Sequence, residues 1–473
     1  MTSINLKNNT QGGYLLLLVL VFSSIFFVIV SSFVASVVTQ SKVITQRVQI
    51  EQAGHIAEAG LNYYKWFLAH YPSDITNGTG LPGPYVGVYN DPEGGAIGEY
   101  SLEVASTTYC GELASIDVSS TGHTYDDPQV QRTVSARYAQ PSVADYSFIL
   151  NADVWVGGDV QITGPYHSNG GIRMDGTNNS SVTSGQATWN CTSSFGCNPG
   201  GTRDGVFTTT ANPNTSLFEF PSAPVNFSGM TVDLALMQEK AQTDGLYFGP
   251  AGNGRPGYHL IFRSDGTVEV RRVNSKQNEP NGYAWGRYMH ILNGTTLIGV
   301  YTPPADCPLI FVEDQVWVEG EVNGKFTLAA ADVDSSGVDP SIILNDNITY
   351  SNTDSGLLAI AEYDLLIGLV VPDDMELNGI FIAQKGHFGR NHYDTSMPNA
   401  WEEYIMRNSL TINGTIVSNG RVGTKWVSNP SGTYLSGFNN RYNAYDRNLV
   451  LDPPPLVPRT SDLYQFSQWR DAN

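Results

Sequence analysis

The chain has 473 residues and carries 45 acidic against 25 basic side chains, a net charge of −20. That balance opposes nucleic-acid phosphates and anionic lipid headgroups, so neither is an expected target. Only 15% of residues are charged while glycine alone numbers 48, a mixture that suits turn-rich β structure better than a helical bundle.

The first predicted element is the uncharged apolar run Tyr14 to Val38. At ~1.5 Å per helical residue it exceeds the ~30 Å hydrocarbon core of a bilayer. A cleaved secretory signal has a shorter apolar region, and the one passable cleavage site, Val34-Ala35-Ser36, lies at the far end of the run. Cleavage there, leaving Val37 as terminus, is the alternative. Lys7 precedes the run and Lys42 and Arg47 follow it, a charge bias only mildly in favour of an inside N-terminus.

Beyond the run, Ile44, Val48, Ile56, Leu61, Tyr64 and Leu68 recur at threes, fours and their sums, and no proline intervenes before Tyr71-Pro72. The spacing predicts one continuous helix over residues 14–70, transmembrane first and amphipathic after. A membrane anchor followed by a separate amphipathic helix is the other reading.

The stretch "EQAGHIAEAGLNYY" then resembles the Ala-Glu-Ala-Gly-Leu signature near the end of the N-terminal helix in PilX-type pilus-assembly proteins, on Ala57, Glu58, Ala59, Gly60 and Leu61. The resemblance implies a leader, residues 1–13, removed by a prepilin peptidase at Gly12-Gly13 to make Tyr14 the new terminus. Efficiently polymerising pilins carry Glu as their fifth mature residue, where this chain has Leu18. A minor or accessory subunit, partnered by the membrane and by other pilin-like subunits, is what the resemblance then implies.

Residues 71–140 read as a Gly/Pro-rich linker (Pro72 to Gly95) and a small antiparallel sheet made of "GEYSLEVAS", "ASIDVSSTG" and "QRTVSARYA". From residue 141 to about 460 one unit recurs around a glycine: Val154 to Val160, Val316 to Val322, Met375 to Phe381 and Leu410 to Ile416. Strands that bend at Gly and continue are the mark of a parallel β-helix. The expected class is therefore α+β, mainly β, with a long N-terminal helix, the small sheet, and an irregular right-handed parallel β-helix or solenoid. A β-sandwich is the alternative, and residues 461–473 read as a C-terminal tail. "TVDLALMQEKAQTDG" predicts a short helix capped by Thr231, and "YHLIFRSDGTVEVRRV" a hairpin with a two-residue Asp265-Gly266 turn. Stretches such as "VWVEGEVNGKFTLAAA", "IFIAQKGHF" and "LTINGTIVSNGR" also resemble the uncharacterised β-rich domain found behind PilX-like helices in bacterial envelope proteins.

Four cysteines in a chain placed outside the cytosol favour disulfides, Cys191 with Cys197 first because they flank a short Gly/Ser-rich stretch. Asp332, Asp334 and Ser336 fall at alternate places of a calcium-loop pattern. The closing Glu is absent, so a looser calcium site would be closed by Asp339. A solvated turn is the competing reading. Asp153, Asp159, His167 and Arg173 cluster in sequence, as do His387 and His392, and each is read as structural. No phosphate loop, nucleophile elbow or zinc-helix motif appears, so no enzyme and no cofactor beyond calcium is expected.

The expected function is an accessory (minor) subunit of a type IV pilus or related envelope filament. It would be a single-pass membrane protein of the cell envelope with an extracytoplasmic β-rich part for assembly or adhesion. A permanently anchored surface protein binding glycans or cells is the second reading, and a β-helix carbohydrate-active enzyme using Asp153 or His167 the third.

Overall fold

The computed structural model describes residues 12–211, 214–227, 233–252, 254–277, 292–333, 339–393, 399–428 and 432–472. They form two compact units: Met1–Val104, Val118–Ala136 and Trp469–Asn473 make the first, and Ala105–Asp117 with Arg137–Gln468 the second. The protein is mostly β, with a long apolar N-terminal helix and several sheets.

The first unit opens with helix α1, Gly12–His70. It starts two residues ahead of the expected Tyr14, runs through Gly54 and Gly60 without a break, and stops at the Tyr71-Pro72 step. Its buried stripe is Ala53, Ile56, Ala57, Gly60, Leu61, Tyr64, Phe67 and Leu68, the i, i+3, i+4, i+7 pattern of a helix with one apolar side. Ile44 and Val48, which continue the periodicity in sequence, are exposed, because the packed stripe begins only at Ala53.

Strand β1 (Tyr85–Asn90) lies inside the stretch read as a linker and pairs antiparallel with β2 (Ala96–Tyr109), Tyr85 opposite Leu102 and Val88 opposite Glu99. The Gly and Pro residues mark only the ends of that stretch; "YVGVY" between them alternates as a strand should. Strands β3 (Glu112–Thr124) and β4 (Gln131–Ala139) follow, and the sheet is completed by Gln465–Ala472 beside β4. The chain's end is therefore a strand where the sequence read a tail. Its pairing rests on contacts more than 300 residues apart in sequence, such as Arg132 Nη2 to Asp471 Oδ2 at 2.6 Å, which local pattern cannot reveal.

The second unit is built of parallel ladders. One runs through Leu246–Phe248, Leu309–Val312, Lys325–Ala330, Gly356–Ala361 and the later halves of Asp374–Ala383 and Met406–Ser418. It continues through Phe148–Leu150, Tyr166–Ser168, Val182–Ser184 and Phe218–Glu219. A second joins Gly257–Phe262, Val316–Val322, Ile342–Tyr350, Leu365–Ile367 and Phe388–Arg390. A third carries Met375 opposite Leu410, Leu410 opposite Arg441 and Arg441 opposite Val160. Val154–Val156, Ile172–Met174 and Val206–Phe207 form a short fourth.

Sequence order and ladder order differ where late strands meet early ones, Ile416 pairing with Phe148 and Arg441 with Val160, so the strands that open the unit continue the ladders its last strands leave off. Side chains facing inward, Val154, Leu260, Val318, Leu344, Leu377 and Ile412 among them, make one buried apolar core. Gly379 and Gly414 sit opposite each other at φ +152° and +141°. A Cβ on Gly414 would lie 1.8 Å from the Gly379 carbonyl oxygen, so the glycine of these two units is fixed by close stacking at the bend. Asn413 donates to Asn378 at 2.9 Å, and Asn151 to Asn419 at 2.9 Å, which ties successive strands through side chains as well as backbone.

The outward side of the first ladder is also apolar, through Ile149, Phe311, Leu358, Ile360, Ile382 and Val417. Helix α2 (Leu234–Thr243) packs there through Met237 and Ala241. Its cap is Asp233, which accepts from the Leu236 amide at 3.0 Å; the expected cap, Thr231, lies outside the described residues. Asp is as good a cap as Thr and stands directly before the first helical residue. The hairpin Gly257–Phe262 with Val268–Val273 forms, but its turn is longer than expected: Arg263 donates to the Thr267 carbonyl at 3.0 Å, with Gly266 at φ +81°. Asp265 accepts from the Thr267 amide at 3.0 Å, which favours this three-residue loop over a two-residue one.

Candidate assembly helix and predicted sites

The first half of α1 is made of side chains with nothing to pack against. Tyr14, Leu15, Phe27, Val28 and Phe33 are each about 70% exposed, and the run contains no charge before Lys42. Two of its hydroxyls are satisfied within the helix: Ser24 Oγ donates to the Val21 carbonyl and Thr39 Oγ1 to the Ala35 carbonyl, both at 2.8 Å. Every backbone group inside such a helix is likewise paired, which is what a hydrocarbon environment demands. This is the one helix among the described residues long and apolar enough to cross a membrane.

Gly12 and Gly13 are the first two residues of α1, followed by Tyr14, with Leu18 one turn further on. The five-residue motif falls in the half of the helix that docks on the sheet. Ala57 and Leu61 are fully buried. A Cβ on Gly60 would lie 2.4 Å from Ser120 Oγ and 2.8 Å from the Tyr100 ring, and one on Gly122 would lie 2.4 Å from both the Ala53 carbonyl oxygen and the Ala57 amide nitrogen. Helix and strand backbones therefore meet through small residues on both sides. Glu58 points outward, 3.7 Å from His55, and Ala59 is half-buried. The motif's geometry is that of helix-to-sheet docking, and its strand partners, Ser120 and Gly122, carry no sequence signal of their own.

The described ones among the remaining predicted positions are scattered through the second unit, each held by neighbours. Asp334 and Ser336 of the calcium pattern lie outside the described residues. Asp332 offers its backbone amide to Glu362 at 2.7 Å, and Asp339 accepts from Lys385 Nζ at 2.9 Å. Among the described residues no group of three metal-binding side chains occurs.

Cys191 and Cys197 are joined, with Cα atoms 5.8 Å apart. Cys110 and Cys307 are also joined, across 197 residues. Spacing gave no signal for that pairing, since it depends on the Asp306 carbonyl accepting from the Cys110 amide at 2.8 Å. Lys240 reinforces it, donating to the Cys110 carbonyl at 2.6 Å and pairing with Glu112 at 3.1 Å.

His167 is buried, with Nδ1 2.8 Å from Thr183 Oγ1 and Nε2 3.0 Å from Asn169 Oδ1. Burial pushes its pKa below the usual imidazole value against the opposing pull of Asn169. Asp153 accepts from the Gly171 amide at 2.7 Å, and Arg173 donates to Asp175 at 2.7 Å. Asp159 lies between Arg441 at 3.0 Å and Lys425 at 3.1 Å. Burial works against its charged form, but the two cations outweigh that and hold the carboxyl below its ordinary range. His387 contacts Asp364 at 3.3 Å, while His392 stacks on Trp426 with ring centres 5.5 Å apart. The two histidines thus serve separate neighbourhoods.

No known family matches the sequence, and no curated protein matches it. Among solved structures, a competence-associated pilin, ComZ from Thermus thermophilus, is similar at 13% identity over 89% of this chain and 97% of that one, with a TM-score of 0.31.

Proposed function

We propose that this protein is a pilin-like accessory subunit, of PilX type, of a type IV pilus or related envelope filament. The observation that carries the reading is α1 itself: a wholly exposed apolar half of membrane-spanning length, continuous with a half docked on a sheet. Leader removal at Gly13 would free the Tyr14 amino group. On leaving lipid, the apolar half would be held by burial among neighbouring helices of the filament.

The four buried, paired cysteines support an oxidising, extracytoplasmic location for the second unit. Its parallel ladders support the β-helix reading over a sandwich, whose packed sheets are antiparallel. In this reading there is no catalytic step and no cofactor. Shearing filaments from the producing cells tests the proposal: the protein should travel with the sheared fraction, and its complete retention in the membrane pellet would overturn it. Leu18 in the place of Glu favours a competing reading, a permanently anchored surface protein.

A further inference from the structure

Around the disulfide-closed loop 191–197 the second unit carries two donors that no described group accepts from. The Arg421 guanidinium lies 4.6 Å from the centre of the Phe195 ring and is half-buried. Among the described residues it has no hydrogen bond and no carboxylate partner. The indole of Trp189 meets the same ring edge-on, centroids 5.2 Å apart, and its Nε1 is buried without an acceptor.

Neighbouring cations differ. Arg173, stacked 4.5 Å over Trp155, is neutralised by Asp175, and Lys425 and Arg441 share Asp159. In a chain with 45 acids, a guanidinium partly withdrawn from water with no counter-charge is anomalous, since its desolvation has only a ring quadrupole to offset it. Burial correspondingly pushes its pKa down.

We propose that Arg421, set against Phe195, is the anchor of a binding site for an oxyanion, a carboxylate or sulfate group of the kind carried by acidic polysaccharides. A guanidinium offers two parallel N–H donors that match the two oxygens of such a group. The loop 191–197 itself contains no carboxylate to compete for the guanidinium. This site would give the second unit a ligand whether or not the chain enters a filament.

The test uses the full chain in detergent with two probes, sodium sulfate and galacturonate oligomers, against sodium chloride and neutral dextran at equal ionic strength. Binding is followed by calorimetry, for wild type, Arg421→Met and Arg421→Lys. Met keeps the apolar stem over Phe195 and removes the fork. Saturable oligomer binding that falls at least tenfold in Arg421→Met, with no dextran binding, is the expected result. Sulfate binding alone, lost in the same variant, supports the oxyanion site and assigns it to a free anion. Equal binding by wild type and Arg421→Met, or no saturable binding of either probe by wild type, would overturn the proposal. If Arg421→Met does not fold, Arg421→Lys decides: it keeps the charge without the fork and should bind more weakly than wild type.

Discussion

Two glycines in the first unit should respond to the same substitution with opposite signs. A methyl group at Gly122 would sit 2.4 Å from both the Ala53 oxygen and the Ala57 nitrogen. Both are helix backbone, which cannot rotate aside as a side chain can. Relieving the contact requires the helix to retreat by about 1 Å, a gap at which facing atoms forfeit up to about half of their dispersion attraction. Overpacking of this kind costs about 1–3 kcal/mol. With the loosened Ile56, Leu61 and Tyr64 contacts added, we expect about 3 kcal/mol for Gly122→Ala, a fall of roughly 10 °C in the melting temperature of this unit.

A methyl group at Gly54 meets nothing within 4 Å, and Gly to Ala inside a helix stabilises by about 0.5–1 kcal/mol. Thermal melts of both variants in detergent, with hydrogen exchange of the amides from Ala53 to Leu68, separate the cases. Equal effects at the two positions, or wild-type protection in Gly122→Ala, would refute close backbone packing as the basis of docking.

Arg390 is fully buried and donates to the carbonyls of Gly368, Leu369 and Ile405. Arg390→Met should destabilise the second unit by about 3–5 kcal/mol, read by thermal melting, because several buried acceptors lose a charged donor at once. Chain-entropy arguments rank the disulfides: replacing Cys110 and Cys307 by Ser opens a 197-residue separation and should cost about 5 kcal/mol. Opening the six-residue separation of Cys191 and Cys197 should cost about 2 kcal/mol, and denaturant titration checks the order.

For His167 the folded pKa lies below the unfolded value of 6.5. The unfolded chain therefore binds the proton first, so stability is complete above pH 6.5 and declines as pH falls through the window below it. His167→Gln should flatten that part of the stability profile in urea titrations at stepped pH. An unchanged acid limb would contradict the assignment.

What could be read from the sequence was whatever local spacing determines. The packed stripe from Ile56 to Leu68 is legible because one side of a helix recurs every three to four residues. The glycine-centred units at Val316, Met375 and Leu410 are legible because strands alternate at two. The carboxyl-terminal strand, the Cys110–Cys307 pairing and the joining of Phe148 to Ile416 were not legible, since each is decided by partners about 200 residues or more away in sequence. β1 was missed for a different reason: its glycine and flanking prolines outweighed a five-residue alternation. In the candidate helix the motif residues were visible, but their strand partner Gly122 is recognisable only once the backbones are seen to touch. Arg421 stands out only in three dimensions, by the acceptors it lacks.

The most direct test of the central claim is the N-terminal residue of the protein recovered from its own cell envelope, identified by mass spectrometry of the terminal peptide. The expected terminus is Tyr14, produced by cleavage after Gly13. A retained Met1 would contradict it and leave α1 as a simple anchor, and a terminus at Val37 would contradict both the subunit and the anchor.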